Sequence, residues 1–320
     1  MHAGARGHDR DGQFTGFVGE QVLDGLVDGG RRSPAPDSFI SEQGAVPAIQ
    51  LRAAGRKGSH KLPWDGLGQN DPVHVGEGGW DTIAPSTVPF GDLSLPREAS
   101  HTDIDRTVAD FAHSARMAHH AGYQVVEIQA SHGYILHAFL SPLSHHRTDE
   151  YGGNPQNRMR FPLRVARAVR EAFPAENPVF VRITATDWVE GGISIDEAAV
   201  FAKELAAVGI DLLDVTSGVL LRDVQARPPA REGVHIEFAD TLKKASGLPV
   251  APVGQIADMS LAGDVVARGR ADAVLMGRAL LRDPYLVLHH RRDDPSSWPN
   301  QYHRALREQS RRRKGEGKIR

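Results

Sequence analysis

The chain of 320 residues contains no cysteine. Disulfide bonds, thiolate metal sites and a cysteine nucleophile are therefore excluded. The sequence also lacks an apolar run long enough for a membrane span, and its first residues lack the apolar core of a signal peptide. The net charge is only −2, so composition predicts no general attraction to nucleic acid or to a membrane surface. We therefore expect a cytoplasmic globular protein.

The two ends of the chain differ in composition from its middle. Residues 1–37 are rich in Gly, Arg, Asp and His and contain one short apolar cluster, at 17–27. We expect a disordered segment there, unrelated to the domain at 38–305, because so little apolar surface is available for burial. Residues 306–320 include the basic run 311–314 and are expected to form a solvated tail.

Between these ends, apolar segments of strand length alternate with segments of helical period. Thr102 with Asp105 is expected to cap the first helix, and Ser194 with Glu197 forms a capping box for a later one. Pro162 should kink its helix or move the start of that helix. The predicted strands are 45–51, 124–128, 179–183, 211–216, 249–253 and 273–276, and the predicted helices span about 103–121, 155–173, 195–208, 238–246 and 261–268.

This alternation is typical of parallel βα units. An open doubly wound sheet is one candidate, but no Gly-x-Gly-x-x-Gly follows any predicted strand. Polar residues follow several different strands, as they do in a TIM barrel, although a complete barrel has eight strands. We therefore predict an α/β fold of the TIM (β/α)8 type, incomplete, with about six recognisable strands.

The segment 141–158, SPLSHHRTDEYGGNPQNR, follows the predicted strand 124–128 and precedes a long helix. It resembles the loop after the fourth strand in the Old Yellow Enzyme family of FMN-dependent ene-reductases. The resemblance extends over about 39–305 and is closest to the bacterial NADPH dehydrogenases. The first two strands of that family have no counterpart in residues 1–37.

The resemblance implies an enzyme that passes hydride from NADPH or NADH, through FMN, to an activated alkene. Tyr134 would protonate the α-carbon of the alkene, while His132 and Gln129 would hold the substrate carbonyl oxygen and stabilise the developing enolate. Gln129 stands where the family usually has His, and an amide cannot carry positive charge. Two further departures are Ala53, where the family has His, and Gln255, where many relatives have Gly.

The resemblance also implies a set of FMN-binding residues, and no metal site. Gln50 would bond the polar edge of the flavin, and Arg182 would face its N1 and O2 atoms. A structural ion pair inside the barrel explains Arg182 equally well from the sequence alone. Gly254, Gly277 and Arg278 would hold the FMN phosphate, since barrels often bind phosphate after their last two strands.

Two other functions stay open at this point. The chain is either an active enzyme or a truncated, catalytically impaired remnant of the family. A different phosphate-binding barrel enzyme is the third possibility, although no Lys ends a predicted strand, which disfavours a Schiff-base aldolase. The segment 301–304 resembles one by which some relatives reach a neighbouring subunit, so Arg304 predicts a homo-oligomer.

Overall fold

The computed structural model of the chain describes residues 36–62, 71–222 and 227–305. The expectations for 1–35 and for the tail at 306–320 lie outside the described residues and stay predictions. The helices and strands are, in chain order, α1 (Pro36–Glu42), β1 (Ala48–Leu51), β2 (Ile83–Ala84), β3 (Arg97–Glu98), α2 (His101–His120), β4 (Val125–Ala130), α3 (Ile135–Leu140), α4 (Pro155–Ala172), β5 (Val179–Thr184), α5 (Ile195–Val208), β6 (Leu212–Thr216), α6 (Ile236–Ser246), β7 (Val250–Pro252), α7 (Met259–Ala267), α8 (Arg278–Arg282) and α9 (Leu286–His290).

Strands β1, β4, β5, β6 and β7 form one parallel sheet and lie in it in that order. At least one helix connects each strand of this sheet to the next. This is the βα repeat of a TIM barrel and confirms the predicted fold class. Within the described residues the sheet has five strands and the barrel is not closed.

One face of the central strands is apolar and packs against the helices. Val126, Ile128, Val181 and Ile183 are almost completely buried there. They share one core with fully buried aromatic side chains from the helices, which are Phe111, Phe161 and Phe201. Because successive side chains of a strand point to opposite faces, the residues between these apolar ones point into the barrel. Among the described residues, each helix is too short or too polar to span a lipid bilayer.

The structure corrects two local predictions. Helix α2 begins two residues earlier than expected, because Ser100 accepts from the Asp103 N–H at 3.1 Å and the Asp103 carboxylate accepts from the Ser100 N–H at 2.7 Å. The predicted cap of Thr102 with Asp105 was therefore wrong. The predicted strand 273–276 was also wrong, because this segment makes only an isolated bridge, between Leu275 and Val253, the residue after β7. Pro252 accepts from the Leu275 N–H at 3.1 Å but has no N–H to donate in return.

Three other helices test the sequence patterns. Ser194 caps α5 as predicted and accepts from the Glu197 N–H at 3.2 Å. Pro162 lies inside α4 and does not move the start of that helix, which is at Pro155. Helix α3 was not predicted, because all six of its residues are buried and it has no polar face.

The diagnostic segment 141–158 is held by side chains that bond the backbone. Ser144 donates to the Ala138 carbonyl at 2.8 Å, and Arg147 donates to the Ala99 carbonyl at 2.5 Å. Arg158 donates to the Leu140 carbonyl at 2.8 Å, and to Gly153 and Glu197. These contacts satisfy carbonyls that the irregular backbone would otherwise leave unpaired. The polar residues of the segment therefore maintain the shape of the loop that follows β4.

Two adjacent glycines in this segment give a matched test. A Cβ on Gly152 would lie 2.0 Å from the Arg147 carbonyl oxygen, whereas a Cβ on Gly153 would meet no atom within 4 Å. Gly153 has φ +81°, so Gly153→Ala should cost about 1 kcal/mol of unfolding free energy from backbone strain. Gly152→Ala should cost more than about 2 kcal/mol, because the loop has to move. Urea denaturation measures both, and equal losses would contradict the close contact at Gly152.

Candidate active site

A row of polar side chains lies on the inner face of the sheet. Gln50 of β1 pairs with Glu127 of β4, Gln129 of β4 pairs with Arg182 of β5, and Arg182 pairs with Asp214 of β6. Residues paired across neighbouring strands project to the same face. The register therefore brings together three residues predicted for the site, Gln50, Gln129 and Arg182, with two carboxyl groups that were not predicted.

Hydrogen bonds link the two glutamines. The Gln129 Nε2 donates to the Gln50 Oε1 at 3.1 Å, and the Gln50 Nε2 donates to the Glu127 Oε1 at 2.5 Å. The Gln129 Oε1 accepts from the Ser131 N–H at 3.1 Å and from the Ser131 hydroxyl. Gln129 is 3% exposed, so its amide mainly orients Gln50 and the turn after β4. One N–H of each glutamine remains for a ligand.

Arg182 lies against a pair of carboxyl groups. Its Nε is 3.2 Å from the Asp214 Oδ2, so the structural ion pair considered from the sequence is present. Burial, and then the charge of Glu127, raise the pKa of Asp214 to about 8. Burial also raises the pKa of Glu127. Because the charge of Glu127 disfavours ionisation of Asp214, we infer that the pair shares one proton and that its single negative charge faces Arg182.

His132 lies two residues beyond β4 in the left-handed region, with φ +57°. The His132 Nε2 lies 3.1 Å from the Thr216 Oγ1, and the backbone N–H of His132 donates to the Thr184 Oγ1 at 3.4 Å. Burial, followed by the positive charge of Arg182, lowers the pKa of His132 to about 3. The imidazole is therefore neutral at physiological pH. Its Nδ1 has no hydrogen-bond partner among the described residues.

Tyr134 is the N-cap residue of α3, at the point where the turn after β4 becomes a helix. The Arg52 Nη1 donates to the Tyr134 hydroxyl oxygen at 3.1 Å, and the Arg52 guanidinium carbon lies 4.7 Å from the centre of the ring. Arg52 was not predicted as a site residue. The only sequence signal for it was its place in the segment that follows Gln50.

Lys57 is a further site residue that was not predicted. It does not end a strand, but the turn Gly55–Lys57 carries it to the site. Its Nζ donates to the His132 carbonyl at 2.5 Å and to the Val219 carbonyl at 2.7 Å. Burial, and then the charge of Arg56, lower the pKa of Lys57 to about 7. A lowered pKa is common in Schiff-base lysines, but here the amine is held by two carbonyls.

The residues predicted for phosphate binding lie in two places. Gly254 follows β7, and Gly277 and Arg278 follow the segment 273–276. Gly254 has φ +119°, and a Cβ there would lie 2.8 Å from the His235 Nδ1. Gly277 is the N-cap residue of α8, and Arg278 is the first residue of that helix. Arg278 is exposed and makes no side-chain hydrogen bond or ion pair with the rest of the described chain.

The raised pKa of Asp214 predicts a pH effect on stability. A carboxyl group whose folded pKa lies above its ordinary value of 3.8 stabilises the fold at low pH, and this contribution is lost as pH rises towards 8. The unfolding free energy of the wild type should therefore fall between pH 5 and pH 8. That of Asp214→Asn should fall by less, and the two decreases should differ by more than about 1 kcal/mol. Urea denaturation at both pH values measures the difference, and Asp264→Asn on the exposed side of α7 is the control. Parallel pH curves for wild type and Asp214→Asn would contradict the shared proton.

Comparison with known proteins gives a family. Residues 38–294 match the profile of the NADH:flavin oxidoreductase / NADH oxidase family. The chain is 40% identical over 248 residues to an NADPH dehydrogenase of Geobacillus thermodenitrificans (strain NG80-2), covering 77% of this chain and 66% of the relative. It is 38% identical over 330 residues to an NADPH dehydrogenase of Bacillus pumilus (strain SAFR-032), covering 93% of this chain and 91% of the relative. The chain thus spans about two thirds of the length of the Geobacillus protein.

Solved structures agree with this assignment. A structure of morphinone reductase in complex with tetrahydroNAD superposes with a TM-score of 0.62 at 26% identity, covering 80% of this chain and 68% of that chain. The family model is that of FMN-containing oxidoreductases, and the resemblance to Old Yellow Enzymes is confirmed. The chain belongs to the NADH:flavin oxidoreductase / NADH oxidase family.

Proposed function

We propose that this chain is an FMN-dependent oxidoreductase that passes hydride from NADPH or NADH to an activated alkene. The observation that carries the proposal is the position of the turn with His132 and Tyr134. This turn lies at the carboxyl end of a barrel strand, close to the inner row of Gln50 and Arg182. Active sites of TIM barrels form at this end of the strands. The relatives named NADPH dehydrogenase support the same activity.

The inner row fits the polar edge of a flavin. Within the described residues the side chain of Arg182 makes no hydrogen bond, and its buried Nε has no partner apart from the ionic contact with Asp214. A guanidinium offers five N–H donors, which suit an edge on which negative charge develops. Gln50 retains one donor and one lone pair for the same edge. Gly254, Gly277 and Arg278 are proposed to hold the phosphate.

Bound FMN would supply the hydride-transfer chemistry, and the protein side chains would bind the alkene and supply a proton. The neutral His132 presents its unpartnered Nδ1 for the substrate carbonyl oxygen, together with the remaining N–H of Gln129. Arg52 donates to a lone pair of the Tyr134 hydroxyl, so the phenolic proton is free for the α-carbon. The positive charge of Arg52 then balances the charge left on that oxygen.

A kinetic comparison tests this function. With FMN present, wild-type protein should oxidise NADPH in a reaction that requires 2-cyclohexen-1-one. Tyr134→Phe should slow reoxidation by the alkene about 100-fold, because a general acid contributes about 10²–10⁴, and should leave reduction by NADPH nearly unchanged. Tyr123→Phe, which removes a hydroxyl just before β4, is the matched control. If alkene has no effect on NADPH oxidation by the wild type, the proposed activity is wrong, and the catalytically impaired remnant becomes the better description.

The phosphate site has its own test. Arg278→Ala should weaken FMN binding about tenfold or more, because a charge-assisted contact contributes about 1.5–3 kcal/mol. Arg268→Ala removes an exposed guanidinium from the adjacent helical segment, where it pairs with Asp264, and should leave FMN affinity unchanged. Fluorescence titration with FMN measures both dissociation constants. Equal affinity for the two variants would place the phosphate elsewhere.

The C-terminal segment supports a homo-oligomer in which Arg304 reaches a neighbouring site. Arg304 is exposed, and Leu281, Tyr285 and Val287 expose 83%, 50% and 45% of their surface nearby in the chain. Large apolar side chains in one exposed segment are typical of an interface. The molar mass in solution tests this, and a monomer would rule it out. A cytoplasmic location is proposed from composition alone.

A further inference from the structure

Two strained residues lie in the loops next to the site. Five non-glycine residues in the described ranges have positive φ, and among them are His132 at +57° and Val219 at +65°. A β-branched residue such as Val rarely adopts this conformation. Such strain costs about 1–3 kcal/mol at each residue and persists only where surrounding contacts maintain it. His132 follows β4 and Val219 follows β6, so the strain lies in two separate loops.

A single side chain bonds both strained residues. The Lys57 Nζ donates to the carbonyl of His132 at 2.5 Å and to the carbonyl of Val219 at 2.7 Å. The loops close tightly around it, since a Cβ on Gly133 would lie 3.0 Å from the Lys57 Cε and 3.0 Å from the Val219 oxygen. The contact therefore fixes the distance between the two loops.

Backbone carbonyls and aromatic rings, and no carboxylate of the described residues, contact the amino group of Lys57. Its Nζ lies 3.9 Å from the centre of the Phe90 ring and 5.6 Å from that of Tyr134. Within the described residues it forms no ion pair, so carbonyl oxygens and aromatic faces surround its amino group. Arg56, the preceding residue, donates to the Leu220 carbonyl at 2.7 Å and extends the same connection by one residue.

We propose that Lys57 is a positioning residue, which holds His132 and Val219 in their strained conformations and thereby orients His132 and Tyr134. Without its two donors, the His132 backbone would relax to negative φ and the imidazole would leave Thr216. The consequence for catalysis rests on the function proposed above. We call the two bonds from the Lys57 Nζ to the His132 and Val219 carbonyls the clamp. The clamp is a property of the loops and is measurable without any enzyme activity.

The test compares three variants of the 320-residue chain. Lys57→Met keeps the apolar stem and removes both donors, Lys57→Arg keeps positive charge and donors, and Lys244→Met removes an exposed lysine of α6. In hydrogen-exchange mass spectrometry, Lys57→Met should exchange about tenfold faster at 131–135 and 217–222. With FMN, NADPH and 2-cyclohexen-1-one, it should lose at least tenfold in kcat/KM at unchanged flavin content. Lys57→Arg should recover part of both losses, and Lys244→Met should match the wild type.

The outcomes separate the clamp from the proposed function. Faster exchange at both loops in a protein that has no alkene-dependent activity would support the clamp and contradict the function. Normal exchange at both loops in Lys57→Met would overturn the clamp, whatever the activity of the variant. If Lys57→Met does not fold, Lys57→Gln, with donors on a shorter chain, takes its place. Faster exchange confined to the two loops would then support the clamp, and unchanged exchange would overturn it.

Discussion

In-register parallel pairing of β1, β4, β5 and β6 is the constraint on which the candidate site depends. It aligns Gln50, Glu127, Arg182 and Asp214 on the inner face, because paired residues of neighbouring strands share a face. A shift of one residue in any pairing would turn these polar groups towards the apolar helices. The same pairing brings the turn after β4 beside Thr216 at the end of β6. Backbone pairing between strands thus brings side chains that are far apart in the sequence into one site.

Burial then shifts the pKa of several groups at the site. It keeps His132 neutral, lowers the pKa of Lys57 to about 7, and raises that of Asp214 to about 8. The Arg182 Nε lies 3.2 Å from the Asp214 carboxylate, so the guanidinium faces the Glu127–Asp214 pair. The inner row therefore sets a carboxyl pair against Arg182 and still presents guanidinium donors. This arrangement suits a ligand edge that gains negative charge during the reaction.

Much of this architecture was predictable, because apolar strands and capped helices have short-range patterns. The strands from β4 to β6 and the Ser194 cap followed from such patterns. Helix α3 did not follow from such a pattern, since a fully buried helix lacks a polar face. The segment 273–276 has the apolar pattern of a strand, but it does not form one because Pro252 has no N–H with which to complete the pairing. Tyr134 and His132 were predicted from a motif, whereas Lys57 was missed because its role arises from carbonyls 75 and 162 residues away. Long-range contacts to backbone atoms leave no signal in side-chain patterns.

The visible absorption spectrum of the purified 320-residue chain tests the central claim most directly, namely that the inner row of Gln50 and Arg182 binds a flavin. The account predicts a yellow protein, or one that becomes yellow with added FMN, whose flavin band bleaches when NADPH is added without oxygen. Arg182→Met should weaken this flavin uptake, because the inner face would lose its donors. A colourless wild-type protein that takes up no added FMN would contradict the account.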